Sequence, residues 1–538
     1  MFFYGTKVFK RSLYAFLVMF LLLCQTAFAA DFSKVVILHT NDTHGFDRSD
    51  NEHIGMPVIA QIKKDFKNKG YDVIMLDAGD IIQGNDLAKF DKGKSIIKYM
   101  NAIGYDAATF GNHEFDYGQE VLFQRIKEAK FPFISANVIN TDTEQTLTKP
   151  YVILEKPYGK IGIIGLTTPA SKTSARPSYV ANLKFLEKEA LYACTQMYVN
   201  ELQNAKCDLI IAIGHMGSEE SCAGSRSDDV VEHVNGLDIF IDGHDHTVKN
   251  DRIGNTLRVE TGCHTNNLGC IVYENGLWQE KLIPCGAYTE SDKTVEKLVN
   301  NTSYAIDQKL GTNVGEAIVE LDGARMPGLR NQETALGDFI TDAILWEANL
   351  QLSKDKKAQA SIVNGGTIRT GIKAGKVKIR DIQSVLPFEN ELGIITIKGS
   401  TLLEILEAST QNTPDEMGGF PQVSGIEYSL DTTVPYAKGN QYPESLFFAP
   451  AAPGSRVTIK SVGDQPFDLN ADYRILVNEF IMEGGDSYSG LTMEGAVLSS
   501  EMLGITDTDC LQKYISEKLK GKITPEHTKV QGRIKIKS

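Results

Sequence analysis

The sequence predicts an α/β protein with two domains, and three observations lead to that prediction. Between residues 35 and 282, short apolar runs alternate with amphipathic stretches, as in sheets whose strands are connected by helices. Polar side chains able to bind metal ions recur directly after several of these runs. From residue 315 onward a second pattern of helices and strands begins. The chain has 538 residues, which is enough for two separate cores.

The N-terminus has the features of an export signal. Three basic residues precede an apolar segment at 13–24, and Ala27-Phe28-Ala29 provides a small-x-small cleavage site. The apolar segment is too short to span a membrane. We therefore expect removal of residues 1–29 and a mature chain that is periplasmic or secreted. The polar C-terminal end predicts no lipid anchor of the glycosylphosphatidylinositol type.

Composition limits the classes of partner. Hydrophobic residues make up 42% of the chain and charged residues 23%, as in ordinary globular proteins. The formal net charge is −14, and it becomes more negative when the basic N-terminus is removed. Because such a surface repels phosphate backbones, we expect neither nucleic acid polymers nor anionic membranes as partners. The net negative charge still allows a small anionic substrate to bind where cations are concentrated in one cleft.

Seven cysteines follow the export signal, and no two of them have Cys-x-x-Cys spacing. In an exported compartment, this number predicts one to three structural disulfides and at least one unpaired thiol.

The elements of the first half are predicted from hydrophobic periodicity. Buried strands are expected at 35–38, 73–76, 209–213 and 237–241, and helices at 58–69 and 119–130. The polar segment 289–311 predicts a linker or bridging helix. We therefore predict a first domain at 30–288, a linker at 289–314 and a second domain at 315–538.

The second half is predicted in the same way. Helices are expected at 334–350, 401–408 and 509–519, and strands at 360–363 and 474–477. Two segments rich in proline, glycine and tyrosine, 411–422 and 432–455, predict ordered loops.

Five short motifs place oxygen and nitrogen donors just after predicted strands. They are Asn41-Asp42-Thr43-His44, Ala78-Gly79-Asp80, Gly111-Asn112-His113-Glu114-Phe115-Asp116, Gly214-His215 and Gly243-His244-Asp245-His246. The seven candidate ligands in them are Asp42, His44, Asp80, Asn112, His215, His244 and His246. Imidazole combined with carboxylate suits zinc, manganese or iron better than calcium or magnesium. Seven ligands are too many for one tetrahedral ion, so we expect two divalent ions that share a carboxylate such as Asp80.

The other histidines lack this context, and we assign them structural roles. They are His39, His53, His233, His264 and His527.

This series of motifs resembles that of the calcineurin-like metallophosphoesterases. The extended forms, residues 39–44 and 110–116, resemble the exported 5′-nucleotidase branch, which also has a C-terminal nucleotidase domain. Its substrate-binding motifs are matched by Asn364-Gly365-Gly366-Thr367-Ile368-Arg369, Leu386-Pro387-Phe388 and Gly484-Gly485-Asp486. The resemblance covers nearly all of residues 31–520. It implies an N-terminal four-layer β-sandwich flanked by helices, followed by an α+β domain.

The resemblance also implies individual ligands and catalytic roles. One metal would be held by Asp42, His44, Asp80 and His246, and the other by Asp80, Asn112, His215 and His244. Several 5′-nucleotidases have glutamine in place of His246, whereas the wider superfamily has histidine. His113 would stabilise or protonate the leaving oxygen, and Asp116 would orient its imidazole.

The substrate pocket is implied by the second set of motifs. Guanidinium groups match phosphate oxygens, so Arg325, Arg330 and Arg369 are the candidate phosphate contacts. Asn364 and Gly366 would line the same pocket. Phe388 and Phe480 match the two aromatics that enclose a nucleobase, although core packing is the usual role of phenylalanine. Asn390 would lie near the base, and Asp486 near the ribose hydroxyls.

These observations predict an exported two-metal 5′-nucleotidase. Two cations would lower the pKa of a shared water, and the resulting hydroxide would attack a nucleoside 5′-monophosphate in line. Nucleotide sugars and dinucleotides stay open as further substrates. One alternative is a 2′,3′-cyclic-nucleotide phosphodiesterase with 3′-nucleotidase activity. A second is a non-catalytic nucleotide-binding protein, against which the intact ligand set argues.

Overall fold

The computed structural model describes residues 31–218, 222–443 and 445–538. The predicted export signal at residues 1–29 lies outside them. Among the described residues, no helix has both the length and the apolar character needed to cross a membrane.

Two six-stranded sheets form the centre of the first domain. The first sheet contains, in spatial order, Leu277–Glu280, Asn267–Glu274, Val35–Thr40, Asp72–Asp77 and Ala107–Ala108, with Ile283–Pro284 paired to Asn267–Glu274. The second contains Val248–Ile253, Thr256–Thr261, Ile239–Ile241, Leu209–His215, Gly159–Thr167 and Tyr151–Lys156. A smaller sheet contains Gln145–Thr146, Val138–Asn140 and Leu183–Phe185. Neighbouring central strands of each large sheet are parallel, so their carboxyl ends share one edge.

The two large sheets pack face to face because residues alternate along the strands. Ile37 of the first sheet and Ile213 of the second belong to one core between the sheets. Val36 and Leu38 point to the opposite face, where helices cover the first sheet. Ile164 lies on the outer face of the second sheet, which packs against a separate set of helices. The predicted four layers are therefore confirmed.

The helices of the first domain connect these strands. The longer ones are Gly55–Asn68, Lys94–Ile103, Gly118–Glu128, Lys188–Asn204 and Ser227–His233. The short ones are Asp86–Phe90, His113–Phe115, Ser171–Ser174 and Pro177–Val180.

A helix at Lys293–Leu310 connects the two halves, as the polar segment predicted. Asp292 caps its first turn by accepting hydrogen bonds from the backbone N–H groups of Thr294 and Val295. Three of its apolar side chains, Val295, Val299 and Ile306, complete the helical layer over the first sheet. The helix is thus part of the first domain, and Asp307 pairs with Arg380 of the second.

The second domain is built on a mixed five-stranded sheet. Its strands, in spatial order, are Pro421–Ser424, Ala360–Asn364, Asp472–Asn478, Glu391–Lys398 and Val497–Thr506. Val363 and Leu392 pack into a core on one face, and Ile362 and Ile395 into a core on the other. The covering helices are Ala335–Gln351, Ile379–Val385, Gly399–Ala408, Glu479–Met482 and Asp507–Lys513. This is the predicted α+β domain.

Smaller sheets and turns complete the second domain. One sheet contains Gly375–Lys378, Asn313–Ala317 and Lys522–Ile523. A second contains Gln465–Pro466, Val457–Val462, Ile426–Asp431 and Ile534–Lys537. A third pairs Lys438–Gln441 with Phe448–Pro450. The short helical turns are Arg325–Leu329, Lys354–Lys356, Gly365–Thr367, Asp486–Thr492, Tyr514–Lys518 and Pro525–Thr528.

Three sequence predictions need correction. The predicted loop 411–422 ends in strand Pro421–Ser424, because its backbone pairs with Ala360–Asn364. The predicted loop 432–455 contains the paired strands Lys438–Gln441 and Phe448–Pro450. All seven cysteines of the described chain are free, so the predicted disulfides are not found. Five of them are distributed over three cores: Cys270 and Cys285 belong to one, Cys194 and Cys207 to a second, and Cys510 to a third.

Candidate active site

The seven predicted metal ligands meet at the edge where the parallel strands of both large sheets end. Asp42 follows Val35–Thr40, Asp80 follows Asp72–Asp77, Asn112 follows Ala107–Ala108, His215 ends Leu209–His215, and His244 and His246 follow Ile239–Ile241. Five of them adopt the left-handed backbone region: Asp42 (φ 49°), His44 (46°), Asp80 (57°), His244 (98°) and His246 (60°). Non-glycine residues rarely adopt this conformation, and such strain is concentrated at functional sites.

Four donor atoms form a first group around His44. Its Nε2 lies 3.1 Å from His246 Nε2 and 3.6 Å from Asp80 Oδ2. Asp42 Oδ1 lies 3.4 Å from His246 Nε2 and 3.9 Å from His44 Nε2. Ligands of a tetrahedral zinc ion, with bonds of about 2.0–2.2 Å, are roughly 3.3–3.5 Å apart. The spacing therefore suits one ion.

A second group forms around His215. Its Nε2 lies 3.2 Å from Asp80 Oδ2 and 3.9 Å from Asp42 Oδ1. Asn112 Oδ1 and His244 Nδ1 are 2.9 Å apart. Asp80 contacts both groups, as expected of a bridging ligand, and Asp42 also lies between them.

Two buried atoms at this site lack hydrogen-bond partners within the described chain, Asp42 Oδ1 and His215 Nε2. Leaving such atoms unpaired is costly unless a ligand satisfies them. His44 Nδ1 lies 3.0 Å from the carbonyl of Gln83, and His215 Nδ1 lies 2.8 Å from that of Ala78. A proton on each Nδ1 leaves Nε2 as the metal-binding atom. The residues present therefore fit divalent ions.

Burial favours the neutral form of two of the ligand imidazoles. It lowers the pKa of His44 and that of His246 well below the usual range. Both rings are therefore neutral and can bind a metal. Burial raises the pKa of Asp80, but His215, His113 and His44 outweigh it and hold this pKa well below its ordinary value.

Glu114 holds the two central ligand loops together. Its buried carboxylate accepts hydrogen bonds from the backbone N–H groups of Asp80 (2.8 Å), Ile81 (2.7 Å), Ile82 (3.2 Å) and Gly111 (2.6 Å). A Cβ at Gly111 would lie 2.1 Å from Asp80 Oδ1, so only glycine fits there. No sequence pattern predicted this role of Glu114.

His113 and Asp116 form the predicted pair beside this centre. His113 Nδ1 lies 2.5 Å from Asp116 Oδ2, and the His113 N–H donates to Asp80 Oδ1 at 2.9 Å. Burial lowers the pKa of His113, but the carboxylates of Asp116 and Asp80 outweigh it, and the net shift is upward. The ring is thus suited to hold a proton.

A cavity between the two domains brings the predicted substrate residues to this centre. It is lined by Asp80, Asn112, His113, Asp116, His244 and His246 from the first domain. From the second domain it is lined by all nine predicted residues: Arg325, Arg330, Asn364, Gly366, Arg369, Phe388, Asn390, Phe480 and Asp486. The other three predicted ligands, Asp42, His44 and His215, are buried beside it.

The two predicted base-binding phenylalanines are only partly buried, unlike core residues. The ring of Phe388 lies 5.8 Å from that of His113. Phe480 packs against Gly485, where a Cβ would lie 2.5 Å from the ring. Both rings line the cavity, and among the described rings no contact joins Phe388 to Phe480.

The three arginines differ in their partners. Arg325 donates two hydrogen bonds to Glu416, both at 3.1 Å, so this carboxylate competes with the predicted phosphate contact. Arg369 has no hydrogen bond or ion pair to its guanidinium within the described chain. Burial and the charge of Arg325 lower the pKa of Arg369. A partly buried cation of this kind favours an anionic ligand.

Polar contacts fix the remaining predicted residues. Asn364 Nδ2 donates to Asp486 Oδ2 at 3.1 Å, and Asp486 has a left-handed backbone (φ 48°). Asn390 Nδ2 donates to Asp507 Oδ2 at 3.4 Å. The N–H of Gly366 donates to the carbonyl of Gly418 at 2.7 Å.

Several residues at the site were not predicted. Arg176, Tyr179, Asn412, Glu416 and Phe447 line the same cavity. They come from loops and from the short helix Pro177–Val180, segments without hydrophobic periodicity from which no functional role could be predicted. His264, assigned a structural role, lies beside His44 and His246. It follows the strand Thr256–Thr261, whose polar and apolar residues alternate, and this strand was not among the continuous apolar runs that revealed the other ligands.

Comparison with known proteins agrees with both domains. Residues 35–248 match the model of the calcineurin-like phosphoesterases, and residues 313–493 match that of the 5′-nucleotidase C-terminal domain. The chain is 28% identical to snake venom 5′-nucleotidase of Crotalus adamanteus over 94% of this chain and 89% of that protein. It is 26% identical to protein UshA of Escherichia coli over 94% of this chain and 95% of that protein.

The chain is also similar to a longer relative and to a solved crystal structure. The chain is 29% identical to the trifunctional nucleotide phosphoesterase protein YfkN of Bacillus subtilis over 93% of its own length, but spans only 35% of that protein. The crystal structure of a 5′-nucleotidase precursor from Thermus thermophilus superposes with a TM-score of 0.78 at 25% identity, over 93% of this chain and 99% of that one. The chain therefore belongs to the 5′-nucleotidase family of metal-dependent phosphoesterases, in which a calcineurin-like phosphoesterase domain precedes a 5′-nucleotidase C-terminal domain.

Proposed function

We propose that this chain hydrolyses nucleoside 5′-monophosphates to nucleoside and inorganic phosphate with two divalent metal ions. The observation that supports it most directly is the shared cavity, in which the ligand loops face Arg369 and both phenylalanines. Two ions at the seven donors would act as Lewis acids on the attacking water and offset the phosphate charge.

The second domain binds and orients the nucleotide in this proposal. The base lies between Phe388 and Phe480, where stacking accepts any base. Asp486 accepts hydrogen bonds from ribose hydroxyls. The phosphate oxygens face Arg369 and Arg330, which hold the phosphorus next to the ligand loops.

His113 acts on the departing oxygen. A water that has released one proton to the solvent forms a new bond to phosphorus while the bond from phosphorus to the nucleoside 5′-oxygen breaks. His113 donates its proton to that 5′-oxygen, which leaves as the hydroxyl of the nucleoside. Asp116, 2.5 Å from Nδ1, orients the ring and stabilises its protonated form.

A phosphate-release assay tests this proposal. The purified chain is incubated with 5′-AMP, 5′-GMP, 3′-AMP, 2′,3′-cyclic AMP and p-nitrophenyl phosphate, with manganese or zinc added. We expect the highest kcat/KM with the 5′-monophosphates. Preferential turnover of the cyclic nucleotide would support the phosphodiesterase alternative instead. Nucleotide binding without phosphate release would support a non-catalytic binding protein.

We also propose that residues 1–29 direct export, on the basis of their basic, apolar and small-x-small segments. N-terminal sequencing of the mature protein should begin at Ala30. An intact N-terminus in a protein retained in the cytoplasm would contradict this.

A further inference from the structure

A third imidazole lies next to the first group of metal donors. The nitrogen donors of His44, His246 and His264 lie within 4.8 Å of one another. The ring of His264 is 5.6 Å from that of His44 and 5.5 Å from that of His246, and both contacts are edge-to-face. Three imidazoles thus surround one position.

The surrounding loop holds His264 in place. Its ring stacks on Phe46, with centroids 4.2 Å apart and planes at 22°. Its backbone N–H donates to the carbonyl of Asp42 at 2.8 Å. His264 (φ 56°) and Thr265 (φ 59°) both have left-handed backbones, and Thr265 Oγ1 donates to the carbonyl of Phe46 at 3.1 Å. A strained conformation persists only where the surrounding contacts determine it.

Neither ring nitrogen of His264 has a hydrogen bond within the described chain, whereas each of the other histidines outside the ligand set has at least one bonded ring nitrogen. His39 pairs with Glu280, His53 with Asp50, His233 with the Asp229 carbonyl and His527 with Thr524. These four rings have structural partners that account for their positions. The nitrogens of the His264 ring bond to no protein group of the described chain, so either of them is free to bind a metal ion.

We propose that His264 is an additional nitrogen ligand of the metal ion held by Asp42, His44 and His246. The proposal rests on the two-metal centre of the proposed function. Neighbouring ligands around zinc are roughly 3.3–3.5 Å apart. A spacing of up to 4.8 Å therefore requires the His264 ring to move toward the ion, which it would join as a fifth protein ligand beside Asp42, His44, Asp80 and His246. With three imidazoles this site suits zinc and similar transition metals better than magnesium or calcium.

His264→Phe is the main test variant, because phenylalanine preserves the stack on Phe46 and removes both nitrogens. His53→Phe is the matched control: His53 also packs on Phe46, with centroids 4.7 Å apart, but its Nδ1 lies 2.7 Å from Asp50 Oδ1. Calorimetric titration of the metal-free proteins with Zn²⁺, without substrate, gives the number and affinity of bound ions. The absorption spectrum of the Co²⁺-loaded proteins reports the ligand set.

We expect wild type and His53→Phe to bind two ions equally well. His264→Phe should bind one of the two at least about 10-fold more weakly, since loss of even an outer-shell partner costs that much. Its cobalt spectrum should change too. Wild-type affinities and an unchanged spectrum in His264→Phe would overturn the proposal while leaving the proposed function intact. A wild-type protein that binds fewer than two ions would overturn both.

A second variant covers the case in which His264→Phe unfolds when metal-free, as judged by circular dichroism. His264→Asp keeps a donor but replaces nitrogen with oxygen, so preference should shift from zinc toward manganese. An unchanged ratio of the Zn²⁺ and Mn²⁺ dissociation constants would overturn the proposal. If His264 served only in substrate binding, the variant would change KM and leave both metal affinities unchanged. That result would also contradict the proposal.

Discussion

Arg176 of the first domain forms an ion pair with Glu483 of the second, at the mouth of the shared cavity. The Nε and Nη2 atoms of Arg176 both lie 2.9 Å from Glu483 Oε1, and Nη1 lies 3.0 Å from Glu479 Oε1. Helix Glu479–Met482 also carries Phe480. The ion pair thus joins the proposed base-binding aromatic to the domain that holds the metal ligands.

Arg176→Ala should weaken closure of the cavity. Partly exposed ion pairs contribute about 0.2–1 kcal/mol each, so loss of the two pairs should lower kcat/KM for 5′-AMP roughly 2- to 27-fold at about 1.4 kcal/mol per decade. The difference in kcat/KM between Arg176→Ala and wild type should become smaller in high salt, because salt screens the ion pairs of the wild-type protein. Small-angle scattering should show a larger radius of gyration.

Lys460→Ala is the control for this prediction. Lys460 pairs with Glu427 at 2.6 Å within the second domain, and both are exposed. Equal losses in the two variants, or an unchanged radius of gyration in Arg176→Ala, would show that the Arg176 ion pairs do not hold the domains together.

Removal of metal should abolish phosphate release, and added manganese or zinc should restore it. Asp80→Ala should be more damaging than His246→Ala, because Asp80 Oδ2 lies 3.2 Å from His215 and 3.6 Å from His44 and so serves both groups. We expect elemental analysis to find less than one ion in Asp80→Ala and about one in His246→Ala. Full turnover by a metal-free preparation would disprove the two-metal mechanism.

Glu114→Gln should lower both stability and metal affinity. The carboxylate accepts four backbone hydrogen bonds, whereas a glutamine amide has one oxygen and turns an NH₂ group toward the other donors. Each buried N–H left unpaired costs about 1–3 kcal/mol. We therefore expect Tm to fall by several degrees and metal affinity by ~10- to 100-fold. The control is Glu120→Gln, at an exposed helix position, which should change neither.

The metal ligands could be predicted from the sequence because each comes directly after a strand. Parallel strands end at the same edge of a sheet, so residues that directly follow such strands lie close together. His215 and Asp42 could therefore be placed together although they are far apart in the sequence. The phosphate and base residues came from the resemblance, since no periodicity distinguishes Phe388 from a core phenylalanine.

The missed features are contacts between loops. His264 reaches the ligand group because its left-handed backbone places its ring in a stack on Phe46. Neither the backbone conformation nor the stack has a sequence pattern. The pairing of Arg325 with Glu416 joins two irregular segments of the second domain. Arg176 and Glu483 lie in different domains, so only the assembled chain reveals their contact.

His113→Ala should reduce kcat by ~10²–10⁴-fold, the usual contribution of a general acid. KM and metal content should remain close to wild type, because His113 acts on the departing oxygen in the transition state. The loss should be much smaller with p-nitrophenyl phosphate, whose leaving group needs no proton. His233→Ala, on a helix of the other outer layer, is the control. Equal losses with p-nitrophenyl phosphate and 5′-AMP would contradict the leaving-group role.

Phe388→Ala and Phe480→Ala should each weaken the use of nucleotides without affecting the metal centre. Stacking on an aromatic is worth ~1–3 kcal/mol per base, so kcat/KM for 5′-AMP and 5′-GMP should both fall roughly 5- to 150-fold at about 1.4 kcal/mol per decade. Hydrolysis of a phosphate ester without a base should hardly change, since it never gained from stacking. Phe467→Ala is the control, because this ring stacks on Tyr473 at 5.9 Å, away from the cavity. If either test variant loses both activities in proportion while its fold is intact, that phenylalanine supports the structure of the domain and does not recognise the base.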